Sequence, residues 1–156
     1  MIVHAGLIAM RLRGRWRGAL IEGPAGAGKS DLALRCLQQG WRLAADDRVV
    51  LWTSDGRLFG SAPLTLGGLI EVRGQGVLCV AALPLCEVNL LVRCEAPERT
   101  PAPERAERLG VRLPALALEP LEASAPARLR LALEQALAAA EPQREVDPVP
   151  RDEIQG

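Results

Sequence analysis

Residues 23 to 30 of the chain read Gly23–Pro24–Ala25–Gly26–Ala27–Gly28–Lys29–Ser30, which fits the pattern G-x-x-x-x-G-K-[ST]. This pattern is typical of a loop that binds nucleotide phosphates, because glycine backbones let several N–H groups converge on one anion. In such a loop Lys29 reaches the β- and γ-phosphates, and the Ser30 hydroxyl binds Mg²⁺. The alternative is a glycine-rich turn with a solvated lysine.

The sequence on either side of this loop favours the phosphate-binding interpretation. An apolar run at Ala19–Ile21 predicts a strand before the loop, and apolar residues recur at helical spacing from Asp31 until Gly40, a residue suited to end a helix. A phosphate would then also meet the positive end of that helix. Lys29 is moreover the only lysine among the nineteen basic residues. Strand, glycine loop and helix in this order predict the α/β fold class.

Composition narrows the class of protein further. The 156 residues suit one domain, and 49% of them are apolar, enough for a core. Nineteen basic and nineteen acidic residues give zero net charge, which argues against nucleic acid or an anionic membrane as a partner. No apolar run approaches the roughly 20 residues of a membrane span, and no signal sequence is visible. The four cysteines suggest neither a zinc site nor a redox pair, so we expect a cytoplasmic protein.

The rest of the chain predicts further strands and one more helix. Val49–Trp52 and Arg57–Phe59 flank an Asp-Gly turn and predict a hairpin. The proline-rich, charged residues 95–112 are expected to form an exposed loop. A helix is predicted from about residue 123 to about residue 140, after a serine cap and a first-turn proline. We expect one domain over residues 1–140 and a disordered polar tail over residues 141–156.

Three acidic residues and one histidine are further candidates for chemistry. Asp46 and Asp47 follow a predicted strand, where carboxylates of phosphate-binding proteins hold Mg²⁺ or accept a proton; an ordinary acidic turn is the alternative. Glu71 precedes Arg73 and two glycines, which suits either a metal-facing loop or a surface ion pair. His4 is the only histidine, and by itself it is compatible with a structural role.

Five stretches of the sequence, taken in order, carry a resemblance to a known family. They are Val3–His4 before a hairpin, residues 23–30 with Asp31–Leu34, Gly40–Asp47, Gly60–Pro63 and Leu69–Val77. Together they resemble the kinase domain of HPr kinase/phosphorylase, a bacterial enzyme that acts on a serine of the phosphocarrier protein HPr. The stretch from Glu71 to Gly76 is similar to the family's E-x-R-G-x-G signature. The resemblance covers roughly residues 2 to 140.

This resemblance implies an ATP- and Mg²⁺-dependent protein-serine kinase with HPr as its protein substrate, and it leaves open the reverse reaction, phosphorolysis. It implies that Lys29 binds the phosphates and that Ser30, Asp46 and Glu71 serve the Mg²⁺ site. Asp47 would be the base, assisted by His4. The implied fold is similar to the nucleotide domain of phosphoenolpyruvate carboxykinase, β-rich with few helices, and the implied assembly is a hexamer.

The chain also departs from the full-length family. It lacks the N-terminal domain and so is similar to the short alphaproteobacterial form, which has only the C-terminal P-loop kinase domain. Ala115 stands where the family has a functional arginine, although Arg112 is close by. Two other functions therefore stay open. One is a non-catalytic ATP-binding sensor, which Ala115 favours, and the other is a small-molecule kinase with a lid formed by Arg99–Arg112.

Overall fold

The computed structural model describes residues 1–140, and the tail predicted for residues 141–156 lies outside the described residues. The described part forms a β-rich α/β fold with few helices, as the sequence predicted. In chain order its elements are β1 (Ile2–Leu12), β2 (Arg15–Glu22), α1 (Lys29–Leu37), β3 (Arg42–Ala45), β4 (Arg48–Ser54), β5 (Arg57–Ser61), β6 (Leu69–Val72), β7 (Gly76–Cys79), β8 (Cys86–Cys94), β9 (Glu104–Arg108), β10 (Val111–Leu118) and α2 (Ala125–Ala140). Neither of these two helices is long and apolar enough to cross a membrane.

Eight strands build the main sheet, in the spatial order β2-β1-β4-β5-β8-β10-β9 with β3 paired to β1. Because β2 also pairs with β8, the strands β2, β1, β4, β5 and β8 close into a ring of hydrogen-bonded neighbours. The long first strand allows this closure, since it pairs with β2 over Ala5–Leu12 and with β4 over Ile2–His4. The strands β6 and β7 form a separate hairpin.

Alternate residues of β1, β2 and β8 fill two cores, because successive side chains of a strand point to opposite faces. Leu7 and Leu20 belong to an inner core built almost wholly by the ring strands. Their neighbours Ile8 and Ile21 belong to an outer core, which α1, α2 and β6 cover. The sheet therefore carries α1, and the glycine-rich loop before it, on its outer face.

Three strands of the sheet, β2, β8 and β10, run parallel to one another. At their carboxyl ends Glu22 lies opposite Arg93, and Leu118 lies opposite Cys94. The segments that leave these strands therefore emerge at one edge of the sheet, which we call the carboxyl edge. This is where α/β proteins bind ligands. The glycine-rich loop begins at this edge, directly after Glu22.

Local sequence signals predicted several elements correctly. The hairpin is β4–β5, with Asp55 at φ +53° and Gly56 at φ +70° in its turn. The helix after the loop is α1, and Gly40 follows it at φ +91°. The helix expected from about residue 123 is α2.

The expectation of an exposed loop over residues 95–112 is wrong in its second half, where β9 and the start of β10 form a hairpin. β9 therefore joins the sheet through its backbone pairing with β10. Two of its charged side chains also have partners on other strands of the sheet: Glu104 lies 2.6 Å from Arg93 of β8, and Arg108 lies 3.0 Å from Glu22 of β2.

Gly18 marks a close approach between β2 and β8. A Cβ atom at Gly18 would lie 2.3 Å from the Glu87 carbonyl oxygen and 3.0 Å from the Cys86 sulfur. The Gly18→Ala variant must push these strands apart, and we expect it to lower the free energy of unfolding by about 1–3 kcal/mol, measured by urea denaturation. Gly67→Ala is the matched control, since a Cβ there meets nothing within 4 Å. Equal stability of the two variants would contradict the prediction.

Candidate functional site

The glycine-rich loop between β2 and α1 is shaped by two glycines in left-handed conformations. Gly26 has φ +78° and Gly28 has φ +104°, values that other residues adopt only with strain. The Ala27 N–H donates to the Pro24 carbonyl oxygen at 3.1 Å and closes a turn. No side chain caps α1 at Gly28, so the N–H groups of its first turn can serve an anion.

Lys29 reaches back across this loop. Its side chain is buried, and Nζ donates to the carbonyl oxygens of Gly23 at 2.7 Å and of Pro24 at 2.9 Å. A buried ammonium acts strongly on phosphate oxygens, since little water screens its charge. Burial raises the pKa of the nearby Cys94 thiol, Lys29 acts against this rise, and Glu119 adds to it. Cys94 therefore lies within electrostatic reach of both Lys29 and Glu119 at the carboxyl edge.

Asp46, directly after β3, is the central polar residue of the site. Its side chain is only 7% exposed. One carboxylate oxygen accepts a hydrogen bond from Ser30 Oγ at 2.8 Å, and the other accepts one from the Glu71 backbone N–H at 3.0 Å. This single carboxylate thus joins α1, β3 and β6. A hydroxyl and a carboxylate so close together fit one side of a Mg²⁺ shell, which substrate phosphates and water usually complete.

Glu71 lies next to this pair, and its side chain is exposed. The strand β6 buries Ile70 and Val72 in the outer core and so places Glu71 on the opposite face. Within residues 1–140, no group of three or more His, Cys, Asp or Glu side chains forms a ready cation site. Ser30 and Asp46 are the side chains that could bind a divalent cation here, and Glu71 lies beside them.

Asp47 is exposed although its neighbour Asp46 is buried, because the chain turns sharply at this point. The Arg48 N–H donates to the Asp46 carbonyl oxygen at 2.7 Å, which makes a three-residue turn centred on Asp47 at φ +67°. Such a turn is rare and strained around a residue other than glycine. Asp47 Oδ1 lies 3.2 Å from His4 Nε2, and both side chains are 55% exposed. An accessible carboxylate beside an imidazole suits proton transfer.

The carboxyl edge and the adjoining turn after β3 thus bring together the residues that the sequence singled out: His4, residues 23–30, Asp46, Asp47 and Glu71. Ala115 lies away from this group. It pairs with Leu91 in the middle of β8 and packs against the inner core. Arg112 is exposed on β10.

Sequence reasoning missed two residues near the loop. Arg35 of α1 donates hydrogen bonds to the carbonyl oxygens of Pro120 and Glu122, and Leu121 lies directly against Gly28. A polar residue on a helix and a single leucine after a proline are each ordinary on a protein surface. No local pattern could have identified them, since their partners are distant along the chain.

The chain is similar to known proteins both in sequence and in structure. A family model described as HPr Serine kinase C-terminal domain matches residues 3–112. HPr kinase/phosphorylase of Clostridium tetani is 46% identical over 66 residues, which are 42% of this chain and 22% of that protein. The protein of that name from Limosilactobacillus reuteri is 41% identical over 86 residues, which are 50% of this chain and 27% of that protein. The chain therefore spans about a quarter of the length of these curated relatives.

A solved structure is similar over nearly its whole length. The Hpr(Ser) kinase/phosphatase from Coxiella burnetii matches with a TM-score of 0.74 and 25% sequence identity. The match covers 89% of this chain and 97% of that chain.

The strain at Asp47 can be measured by comparing two variants that both lack the carboxylate. We expect Asp47→Gly to be more stable than Asp47→Ala by about 1 kcal/mol, because only glycine adopts φ +67° without a steric penalty. Urea denaturation of both variants measures the difference. Equal midpoints, or a more stable alanine variant, would show that the turn at Asp47 stores no strain.

Proposed function

The chain belongs to the HPr serine kinase family, whose C-terminal domain model matches residues 3–112, and from this premise we propose that it phosphorylates a serine of HPr with ATP and Mg²⁺. One observation carries the proposal: two adjacent carboxylates have opposite environments. Asp46 is buried against Ser30, and Asp47 is exposed beside His4. Phosphoryl transfer to a hydroxyl needs both kinds, one to serve the metal and one to take the proton.

The loop and the start of α1 would bind the phosphate chain of ATP. Backbone N–H groups at residues 23–30 and the ammonium of Lys29 supply positive charge, while Gly26 and Gly28 keep side chains out of the way. Mg²⁺, when bound, would neutralise charge on the β- and γ-phosphates. Ser30 and Asp46 would hold it, with Glu71 at their side.

Asp47 would accept the proton of the HPr serine hydroxyl. As it does so, the serine oxygen forms a bond to the γ-phosphorus, and the bond from that phosphorus to the β–γ bridging oxygen breaks. The products are phosphoserine and ADP, and the bridging electron pair leaves with ADP. His4 would orient the Asp47 carboxylate, since its Nε2 lies 3.2 Å from Oδ1. In phosphorolysis, which the family resemblance leaves open, an oxygen of inorganic phosphate would form the bond to the phosphorus of phosphoserine. The bond from that phosphorus to the serine oxygen would break, Asp47 would return the proton to the serine oxygen, and the products would be serine and pyrophosphate.

The contacts of the described residues argue against the two other functions. A small-molecule kinase would use residues 99–112 as an arginine lid, but Arg108 is a strand residue paired with Glu22 of the main sheet. A non-catalytic sensor only binds ATP and needs no base, so it would not require an exposed Asp47 held in a strained turn beside His4.

We further propose that residues 1–140 form one kinase domain with HPr as its protein partner. Support comes from the two cores, which share the strands β1, β2 and β8, and from both helices, which pack on the outer core. The hexamer and the cytoplasmic location that the family resemblance implies stay predictions.

The role of Asp47 is tested with HPr, ATP, Mg²⁺ and the full chain. The Asp47→Asn variant keeps the side-chain shape but removes the base, so phosphoryl transfer should fall by about 10²- to 10⁴-fold. Intact-mass spectrometry of HPr measures the gain of one phosphoryl group, and fragmentation places it on a serine.

Asp55→Asn is the matched control for this experiment. Asp55 also has a positive φ, +53°, but it lies in the β4–β5 turn, so its variant should retain full transfer. Undiminished transfer by Asp47→Asn would contradict the assignment of the base. ATP binding without transfer by the unaltered chain would favour the sensor.

Lys29 gives a second test of the same site. The Lys29→Ala variant removes the buried ammonium and should abolish detectable transfer. Its circular dichroism spectrum should stay unchanged, because the hydrogen bonds that Nζ makes within residues 1–140 go to the carbonyl oxygens of Gly23 and Pro24 in the same loop. Normal turnover by a folded Lys29→Ala variant would overturn the placement of the phosphates.

A further inference from the structure

The segment that follows β10 lies against the glycine-rich loop. Leu118 ends β10, and its carbonyl oxygen accepts a hydrogen bond from the Glu95 N–H at 3.1 Å. Pro120 is buried, whereas the Leu121 side chain is 64% exposed. A Cβ atom on Gly28 would lie only 2.7 Å from Leu121 Cδ2, so Leu121 rests on the backbone of the loop. An exposed leucine is thus held beside the predicted phosphate site.

Arg35 fixes this segment to α1. Its Nε donates to Asp31 Oδ2 at 2.9 Å, and Nη1 donates to the Glu122 carbonyl oxygen at 3.0 Å. Nη2 donates to the Pro120 carbonyl oxygen. Leu121 therefore sits between two backbone carbonyls that one guanidinium holds, in a geometry tied to the helix that starts at the loop.

The order of strands places Leu121 on the side of the loop opposite to the transfer groups. Across the sheet the strands run β3, β1, β2, β8, β10. Asp46 and Asp47 follow β3, the loop follows β2, and Leu121 comes shortly after β10. A nucleotide whose γ-phosphate faces Asp47, and whose phosphate chain lies on the loop, must extend its nucleoside over the ends of β8 and β10.

We propose that Leu121, positioned by Arg35, forms an apolar platform for the nucleobase of the bound nucleoside triphosphate. The inference rests on the proposed function, since it takes the loop at residues 23–30 as the phosphate site. A nucleobase has apolar faces, and its contact with Leu121 removes apolar surface of both from water. Leu121 would then add affinity for nucleotides without affecting bare polyphosphates.

The test compares two ligands that share the phosphate chain. Isothermal titration calorimetry of the full chain measures Kd for ATP and for inorganic tripolyphosphate, each with Mg²⁺. In the Leu121→Ser variant we expect Kd for ATP to rise about five- to tenfold, while Kd for tripolyphosphate changes less than about twofold. Leu131→Ser is the matched control, because Leu131 is 56% exposed on α2, and it should change neither Kd.

Arg35→Gln tests the positioning role. It should reduce the preference for ATP over tripolyphosphate, as Leu121→Ser does. If the role of Arg35 is purely structural, Arg35→Gln should raise Kd for ATP and for tripolyphosphate by the same factor and leave that preference unchanged.

The remaining outcomes separate the two proposals. If Leu121→Ser raises Kd for ATP and for tripolyphosphate by the same factor, Leu121 only supports the loop, and the proposed nucleobase platform is overturned. An unchanged Kd for ATP overturns it as well. If the unaltered chain binds neither ligand, the phosphate site itself is refuted, and the proposed function falls together with this inference.

Discussion

The buried carboxylate of Asp46 is the constraint on which the site depends. A charge removed from water is costly unless both of its oxygens find partners, and here those partners are the Ser30 hydroxyl and the Glu71 amide. The three elements that supply these groups lie far apart in the chain. They must therefore be brought together before the carboxylate can be buried, so the position of the loop is tied to the packing of β6 on the outer core.

Much of this site could be predicted from the sequence because its signals are local. The octapeptide at residues 23–30, the strand before it and the helix after it each follow from short-range patterns. The place of Asp46 and Asp47 after a strand leaves an ordinary acidic turn as an alternative, and the family resemblance is what implies their roles. The sequence could not show that one carboxylate is buried and the other exposed, since that difference arises from a strained turn at Asp47 and from the amide of Glu71.

The failures of prediction share a physical origin. Residues 104–112 have the composition of a solvated loop, yet Glu104–Arg108 pairs with β10 as a strand, and Arg93 of β8 and Glu22 of β2 supply ion-pair partners to its two end residues. The contact between Leu121 and Gly28 likewise joins residues 93 positions apart, which no local pattern reports. When contacts with residues distant in the chain determine the structure around a residue, local composition does not predict that structure.

The closed ring of strands leaves β9 at an outer edge of the sheet. Among residues 1–140 the ring strands pair on both sides, but β9 pairs with β10 alone and so exposes one row of backbone groups. Unpaired strand edges invite edge-to-edge aggregation, and natural proteins oppose it with charged side chains. β9 reads Glu-Arg-Ala-Glu-Arg, with four of its five residues charged. The charged composition that suggested a loop in the sequence thus also opposes sheet extension at the unpaired edge of β9.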